Sequence, residues 1–157
     1  MGLTINVEKS RKVKAREQSF DFLGFTFRYD RSIFNRERRF WNIFPKKESQ
    51  KKIRQKINAR LKVIGHLQAE LIPWELNPII RGWMNYYKID KVSYTQVAFK
   101  KLDDYLRVRL YRYYNRKSQR RSNLHGQQAY ELLTRKHGLI APYQNSGIRP
   151  VNAVRRK

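Results

Sequence analysis

The sequence contains no cysteine, which excludes a disulfide framework and any thiolate-bound metal site and suits a reducing compartment. No apolar run approaches the roughly 20 residues that a bilayer-spanning helix needs. The stretch MGLTINVEKSRKVK (1–14) lacks the apolar core of a secretory signal, so the chain is expected to stay in the cell that makes it, away from membranes. Internal repeats and low-complexity blocks are absent. Acidic residues are scarce: 12 Asp plus Glu stand against 36 Lys plus Arg, a formal net charge of +24. Histidines are scarcer still, and His66, His125 and His137 fall in separate segments without the spacing of a ligand set. No metal site is expected on the chain itself.

What remains is a chain of 157 residues, 40% hydrophobic and 13% aromatic, enough to fill the core of one ordinary domain or two small ones. A net charge this large repels itself unless a polyanion neutralises it, and nucleic acid is the leading partner.

The pattern changes near Pro45. Ahead of it, FDFLGFTFR (20–28) reads as one aromatic-rich strand, apolar on both faces at its centre. RFWNIF (39–44) reads as a second strand, and the polar YDRSIFNRER between them predicts a hairpin. Behind it, Ile53, Ile57, Leu61 and Ile64 fall on one face of a first helix, with Lys51, Gln55, Asn58 and Lys62 opposite. A second helix is predicted to start with Asn77 as its cap and Pro78 at its first position. It would bury Leu76, Ile80, Trp83 and Tyr87 and turn Arg81, Asn85 and Lys88 outward. A third is predicted from SYTQ, where Ser93 and Gln96 have capping-box spacing. Its stripe is Phe99, Leu102, Leu106, Leu110 and Tyr113, flanked by Tyr105, Arg109, Arg112 and Arg116. A shorter helix around QQAYELLTRKHG is expected to end at Gly138. The fold class expected is α+β, mainly α: a short amino-terminal β-hairpin followed by an antiparallel helical bundle.

Lysine on a helix face is ordinarily just a solvated face. Here the density argues for more: residues 46–62 hold eight basic side chains and one acidic, and residues 100–121 hold nine and two. That clustering favours a phosphate-binding surface, with Lys51, Lys62, Arg109, Arg112 and Arg116 as contacts. Tyr86 and Tyr105 lie off the apolar stripes and are the candidates for stacking on a base or sugar. Gly82 beside the second helix's stripe suggests a neighbouring helix in close approach. The acidic pair Asp103 and Asp104 sits inside a helical pattern. Consecutive helical residues point about 100° apart, so the two read as helix-surface ion partners rather than ligands of one magnesium ion.

Three stretches, in order, carry a family resemblance. LNPIIRGWMNYYK (76–88) resembles the signature of the maturase-specific segment, domain X, of bacterial-type group II intron reverse transcriptases. GLTINVEKS (2–10) is similar to a block late in the palm of those enzymes, with Ser10 where the family has threonine. FDFLGFTFR resembles the block that follows it, on the hairpin that grips the primer end. The resemblance implies that residues 1–45 are the end of the palm, 46–121 the helical thumb and domain X, and 122–157 a basic carboxyl-terminal extension. It places Lys9 and the Leu23, Gly24, Phe25 turn on the primer side, and it implies that Arg81, Asn85 and Lys88 face RNA. It implies group II intron RNA and the RNA/DNA template-primer duplex as partners, in a cytoplasmic ribonucleoprotein of a bacterial cell.

The fingers and the palm block with its metal-binding aspartates would precede Met1. The expectation is therefore a binding protein with no cofactor and no catalytic residue of its own, Mg2+ belonging to a complete reverse transcriptase or to the intron RNA. The implied role is assistance to intron splicing by holding the RNA fold. Two alternatives stay open: one half of a split RNA-directed DNA polymerase whose amino-terminal half is supplied in trans, and a truncated remnant without function.

Overall fold

In the computed structural model, which describes residues 13–31, 37–89, 95–116, 124, 125 and 127–144, the amino-terminal aromatic stretch is folded back on itself. Strand β1 (Phe20–Phe22) pairs antiparallel with β2 (Phe25–Arg31), and β3 (Arg39–Pro45) pairs antiparallel with the other edge of β2. The single strand expected over 20–28 is thus two strands and a tight turn. The reason lies in Leu23 and Gly24, with φ of 46° and 79°, the pair of positive values that a type I′ hairpin turn requires. Period-2 reasoning sees only the alternation of apolar residues and passes straight through such a turn. Gly24 is further constrained, because a Cβ there would lie 2.8 Å from the Tyr87 hydroxyl. The second predicted strand and its antiparallel pairing are where the pattern put them.

Helix α1 (Lys47–Val63) buries Ile53, Ile57 and Leu61, and Ile64 continues their face into a 3₁₀ turn, Ile64–His66. A second 3₁₀ turn, Ala69–Leu71, leads directly into α2 (Ile72–Tyr87). The predicted start of this helix is corrected by one and a half turns. Pro73 takes the position near the amino terminus where a missing N–H is harmless, and Pro78 lies in the interior. Asn77, expected as the cap, is instead a strut between distant segments. Its Nδ2 donates to the Gly138 carbonyl and its Oδ1 accepts the Ile140 N–H, each at 2.9 Å.

Helix α3 (Thr95–Arg116) carries the centre of the core: Phe99, Leu106 and Leu110 are fully buried, and Leu102 nearly so. The stripe closes on Tyr114, which is buried, while the predicted Tyr113 is half-buried beside it. Trp83, also expected in the core, is half-buried, and Met84 takes a buried place that was not foreseen. Helix α4 (Ala129–His137) ends as expected at Gly138, whose φ of 71° is left-handed. Its Tyr130 and Leu133 join the same hydrophobic cluster as α1, α2 and α3. The Ser93 cap, Lys9 and the tail NSGIRPVNAVRRK lie outside the described residues.

Asp103 is the other correction. It is buried rather than a surface ion partner, accepting the Tyr130 hydroxyl at 2.8 Å and the Tyr143 N–H at 3.0 Å, while Asp104 is exposed. Asp103→Ala is expected to destabilise the chain by about 1–3 kcal/mol for each group left unpaired. Burial raises the Asp103 pKa above the ordinary 3.8, against the lowering effect of both hydrogen bonds. The raised value fixes the sign: the stability linked to this carboxyl is fully present below the unfolded-state value and is lost as pH rises through the folded one. Asp103→Asn should flatten that loss between acid and neutral pH, in urea unfolding followed by circular dichroism. An unchanged pH profile would contradict it.

Candidate nucleic-acid interface

Helix α2 buries Ile72, Leu76, Ile80 and Tyr87 on one side. Directly opposite, Trp74, Pro78, Arg81, Asn85 and Lys88 follow one another at intervals of four and three residues, the spacing of a single helix face. All five are exposed, Trp74 by 78%. Gly82 borders this face, and nothing lies within 4 Å of where its Cβ would be. The helix neighbour expected at Gly82 is therefore absent among the described residues, and the glycine opens onto free space. Arg81 and Lys88 form no ion pair among the described residues, whereas Arg60 on the inner side is held by Glu75, its Nε 2.9 Å from Oε2. Pro78 has no N–H, so the carbonyl of Trp74 also lacks its ordinary intrahelical donor. The face offers cations, an amide and a bare indole, a set suited to phosphates and to the flat side of a base.

The other predicted contacts divide. Lys51 and Lys62 are exposed on α1, together with Lys52 and Lys56, as their spacing required. Arg112 is exposed on α3, and the side chain of Arg116 lies outside the described set. Arg109 is half-buried with an Nε that meets no acceptor, close enough to Tyr105 and Tyr113 to act on both phenols. Tyr105 is turned inward, its hydroxyl donating to the Arg54 carbonyl at 3.0 Å. The arginine of α3 that reaches across to α4 is Arg107, 2.8 Å from Glu131 and over the Tyr130 ring at 5.3 Å.

The hairpin tip meets the carboxyl-terminal end of α2. Tyr86 donates its hydroxyl to the Leu23 carbonyl at 2.6 Å, and Tyr87 donates to the Gly24 carbonyl at 3.2 Å. The Tyr86 ring stacks on Phe25, 5.8 Å between centroids, so one of its two faces is covered. Phe25 itself is buried beneath the two tyrosines, while Leu23 stands 68% exposed at the tip. Of the predicted primer-side turn, only Leu23 is thus presented to a partner.

The residue missed in the sequence is Trp74. Starting the helix at Asn77 left it outside, although counting back seven from Arg81 along the same face would have reached it. Among the described residues, no group of three or more His, Cys, Asp or Glu could hold a metal ion. Asp103, committed to Tyr130 and Tyr143, and Asp104, on another side of α3, do not form the two-metal site of a polymerase. No helix among the described residues is long and apolar enough to cross a membrane.

Fold and surface together define a strongly basic helical bundle with a small antiparallel sheet attached. The chain matches the group II intron, maturase-specific domain family over residues 50–130, from the first turn of α1 to the start of α4, and it belongs to that family. No curated protein matches it significantly.

Proposed function

We propose that the chain is the RNA-binding thumb and domain X portion of a group II intron reverse transcriptase, and that it assists splicing by binding intron RNA and stabilising the fold in which the RNA is active. In this reading residues 1–45 are the end of the palm, 46–121 the thumb and domain X, and 122–157 a basic extension. It works by binding, and the RNA supplies the chemistry. The observation that carries it is the outer face of α2, where Trp74, Arg81, Asn85 and Lys88 stand exposed on a chain with a formal charge of +24. An uncompensated charge of this size is supported by a polyanionic partner rather than by solubility alone.

Filter binding to a group II intron RNA and to an unrelated RNA of equal length tests the reading. The intron RNA is expected to bind more tightly, and log K should fall against log salt with a slope of about −0.7 to −0.9 per phosphate contact. Equal binding of both RNAs would reduce the role to generic RNA association, and an affinity indifferent to salt would remove the basic surface from it.

The exposed tip at Leu23 favours a second reading, a primer-side part of a split polymerase. DNA synthesis that requires both this chain and an amino-terminal half added in trans, with Mg2+, separates it from the first.

A further inference from the structure

A cleft of about 300 Å³ opens between the sheet and the first turns of α1 and α3, away from the hairpin tip and the outer face of α2. Its sheet side is made by Arg28, Asp30 and Arg31 of β2 and by Asn42 and Phe44 of β3. Arg28 lies directly opposite Asn42 in the register, and Phe44 pairs two residues on with Thr26. Lys47 and Gln50 of α1 form one wall, and Val97, Ala98 and Lys101 of α3 form the other.

Three features of this cleft are unexplained by the fold. The first is charge: Arg28, Arg31, Lys47 and Lys101 surround it, and only Arg28 is answered, by Asp30 at 2.9 Å. Arg31, Lys47 and Lys101 form no ion pair among the described residues. The second is Asn42, only 2% exposed, with an Oδ1 that meets no donor. Buried acceptors are nearly always paired, and this one, closed to solvent as the side chains stand, meets a ligand in the cleft once the lining beside it gives way. The third is a flat platform, the Arg28 guanidinium lying over the Phe44 ring at 5.8 Å.

The three requirements point to one chemistry. Cations ask for an anion, the orphan oxygen asks for an N–H or O–H donor, and the platform suits a planar ring. Inorganic phosphate meets only the first. A nucleotide meets all of them, with its phosphate at Arg31, Lys47 and Lys101, its base beside Phe44 and Val97, and an exocyclic or ring N–H on Asn42. The volume lies at the lower end of the roughly 300–1,000 Å³ of small-ligand sites, room for one nucleotide and too little for a duplex. We propose that this cleft binds a single nucleotide unit, supplied by an unpaired position of an RNA. The proposal rests on the RNA-binding reading only for the polymer that supplies the nucleotide.

The test uses the full chain, with two variants checked for folding by circular dichroism: Asn42→Leu, close in volume, and the exposed pair Lys47→Gln with Lys101→Gln. Equilibrium dialysis measures binding of the four 5′-nucleoside monophosphates, the matching nucleosides and inorganic phosphate. At least one monophosphate is expected to bind about tenfold or more tighter than its nucleoside and than inorganic phosphate. The lysine pair should lose about tenfold for the monophosphate. Asn42→Leu should abolish the preference among bases while leaving phosphate binding unchanged. Two RNA hairpins, identical except for one bulged nucleotide, separate the sources. Tighter binding of the bulged hairpin assigns the cleft to RNA. Equal binding of the two hairpins beside saturable monophosphate binding overturns the RNA source and leaves the site to a free nucleotide. Monophosphates that bind no better than inorganic phosphate, or no worse to the lysine pair, overturn the cleft altogether, and the lysine pair decides between these outcomes if Asn42→Leu does not fold. Failure here with intron RNA binding intact removes the cleft alone, whereas loss of intron preference with monophosphate binding intact removes the proposed function alone.

Discussion

Replacing Phe99 with alanine is expected to remove about 3–5 kcal/mol of stability, a large part of the roughly 5–15 kcal/mol that holds a domain of this size together. Phe99 is fully buried, and its ring meets Trp83 edge-on at 5.6 Å in the middle of the bundle. It lies on the helix that touches α1, α4 and β3 at once, so the cavity cannot be closed by one neighbour shifting. Urea unfolding monitored by circular dichroism measures the loss. Phe99→Leu should fall between the parent and the alanine variant. Trp83→Ala should cost less than Phe99→Ala, because the indole is half-buried and part of its surface is already wet. Near-native stability of Phe99→Ala would mean that α3 is not the centre of the core.

The second large effect concerns binding without stability. Trp74→Ala should weaken intron RNA binding by about 1–3 kcal/mol if a base stacks on the indole, and should leave the slope against salt unchanged, since no charge is removed. Arg81→Gln with Lys88→Gln should weaken binding too, but by shallowing that slope by roughly one unit per lost phosphate contact. Both variants should keep their unfolding free energy within about 0.5 kcal/mol of the parent, as exposed sites do. The contrast between a salt-independent and a salt-dependent loss on one helix face is the discriminating result. Parent-like affinity of both variants at every salt concentration would move the RNA surface elsewhere.

What the sequence made legible followed from periodicity. The faces of α1 and α3, the exposure of Lys51 and Lys62 and the Gly138 terminus were all recoverable, because spacing at helical intervals fixes which side chains share a side. Three features were hidden for separate physical reasons. The turn at Leu23 and Gly24 depends on backbone angles, and a leucine at positive φ is uncommon enough that composition gave no warning. The start of α2 offered two prolines, Pro73 and Pro78, either of which could occupy a first position. The choice was made by packing, which buries Ile72 and Pro73. Asp103 and Asn77 look like surface residues in a one-dimensional pattern, and only Tyr130 of α4 and the return of residues 138–143 across the bundle give them partners. The cleft around Asn42 has the same origin, since Arg28, Lys47 and Lys101 come from three elements brought together only in the fold.

The two tyrosines that hold the hairpin tip set the entropy of whatever binds there. Their hydroxyls fasten consecutive backbone carbonyls of the tip to the last turn of α2, so Leu23 and the face that runs through Arg81 and Asn85 cannot wander independently. A nucleic acid touching both meets a surface already ordered, and the ordering cost of a free loop does not count against its affinity. Burial pushes the Tyr87 phenol above its usual 10.0, so that half of the fastening keeps its proton throughout the physiological range. The tip and the last turn of the helix are thereby tied into one unit, which an RNA bound as proposed would meet as a single surface.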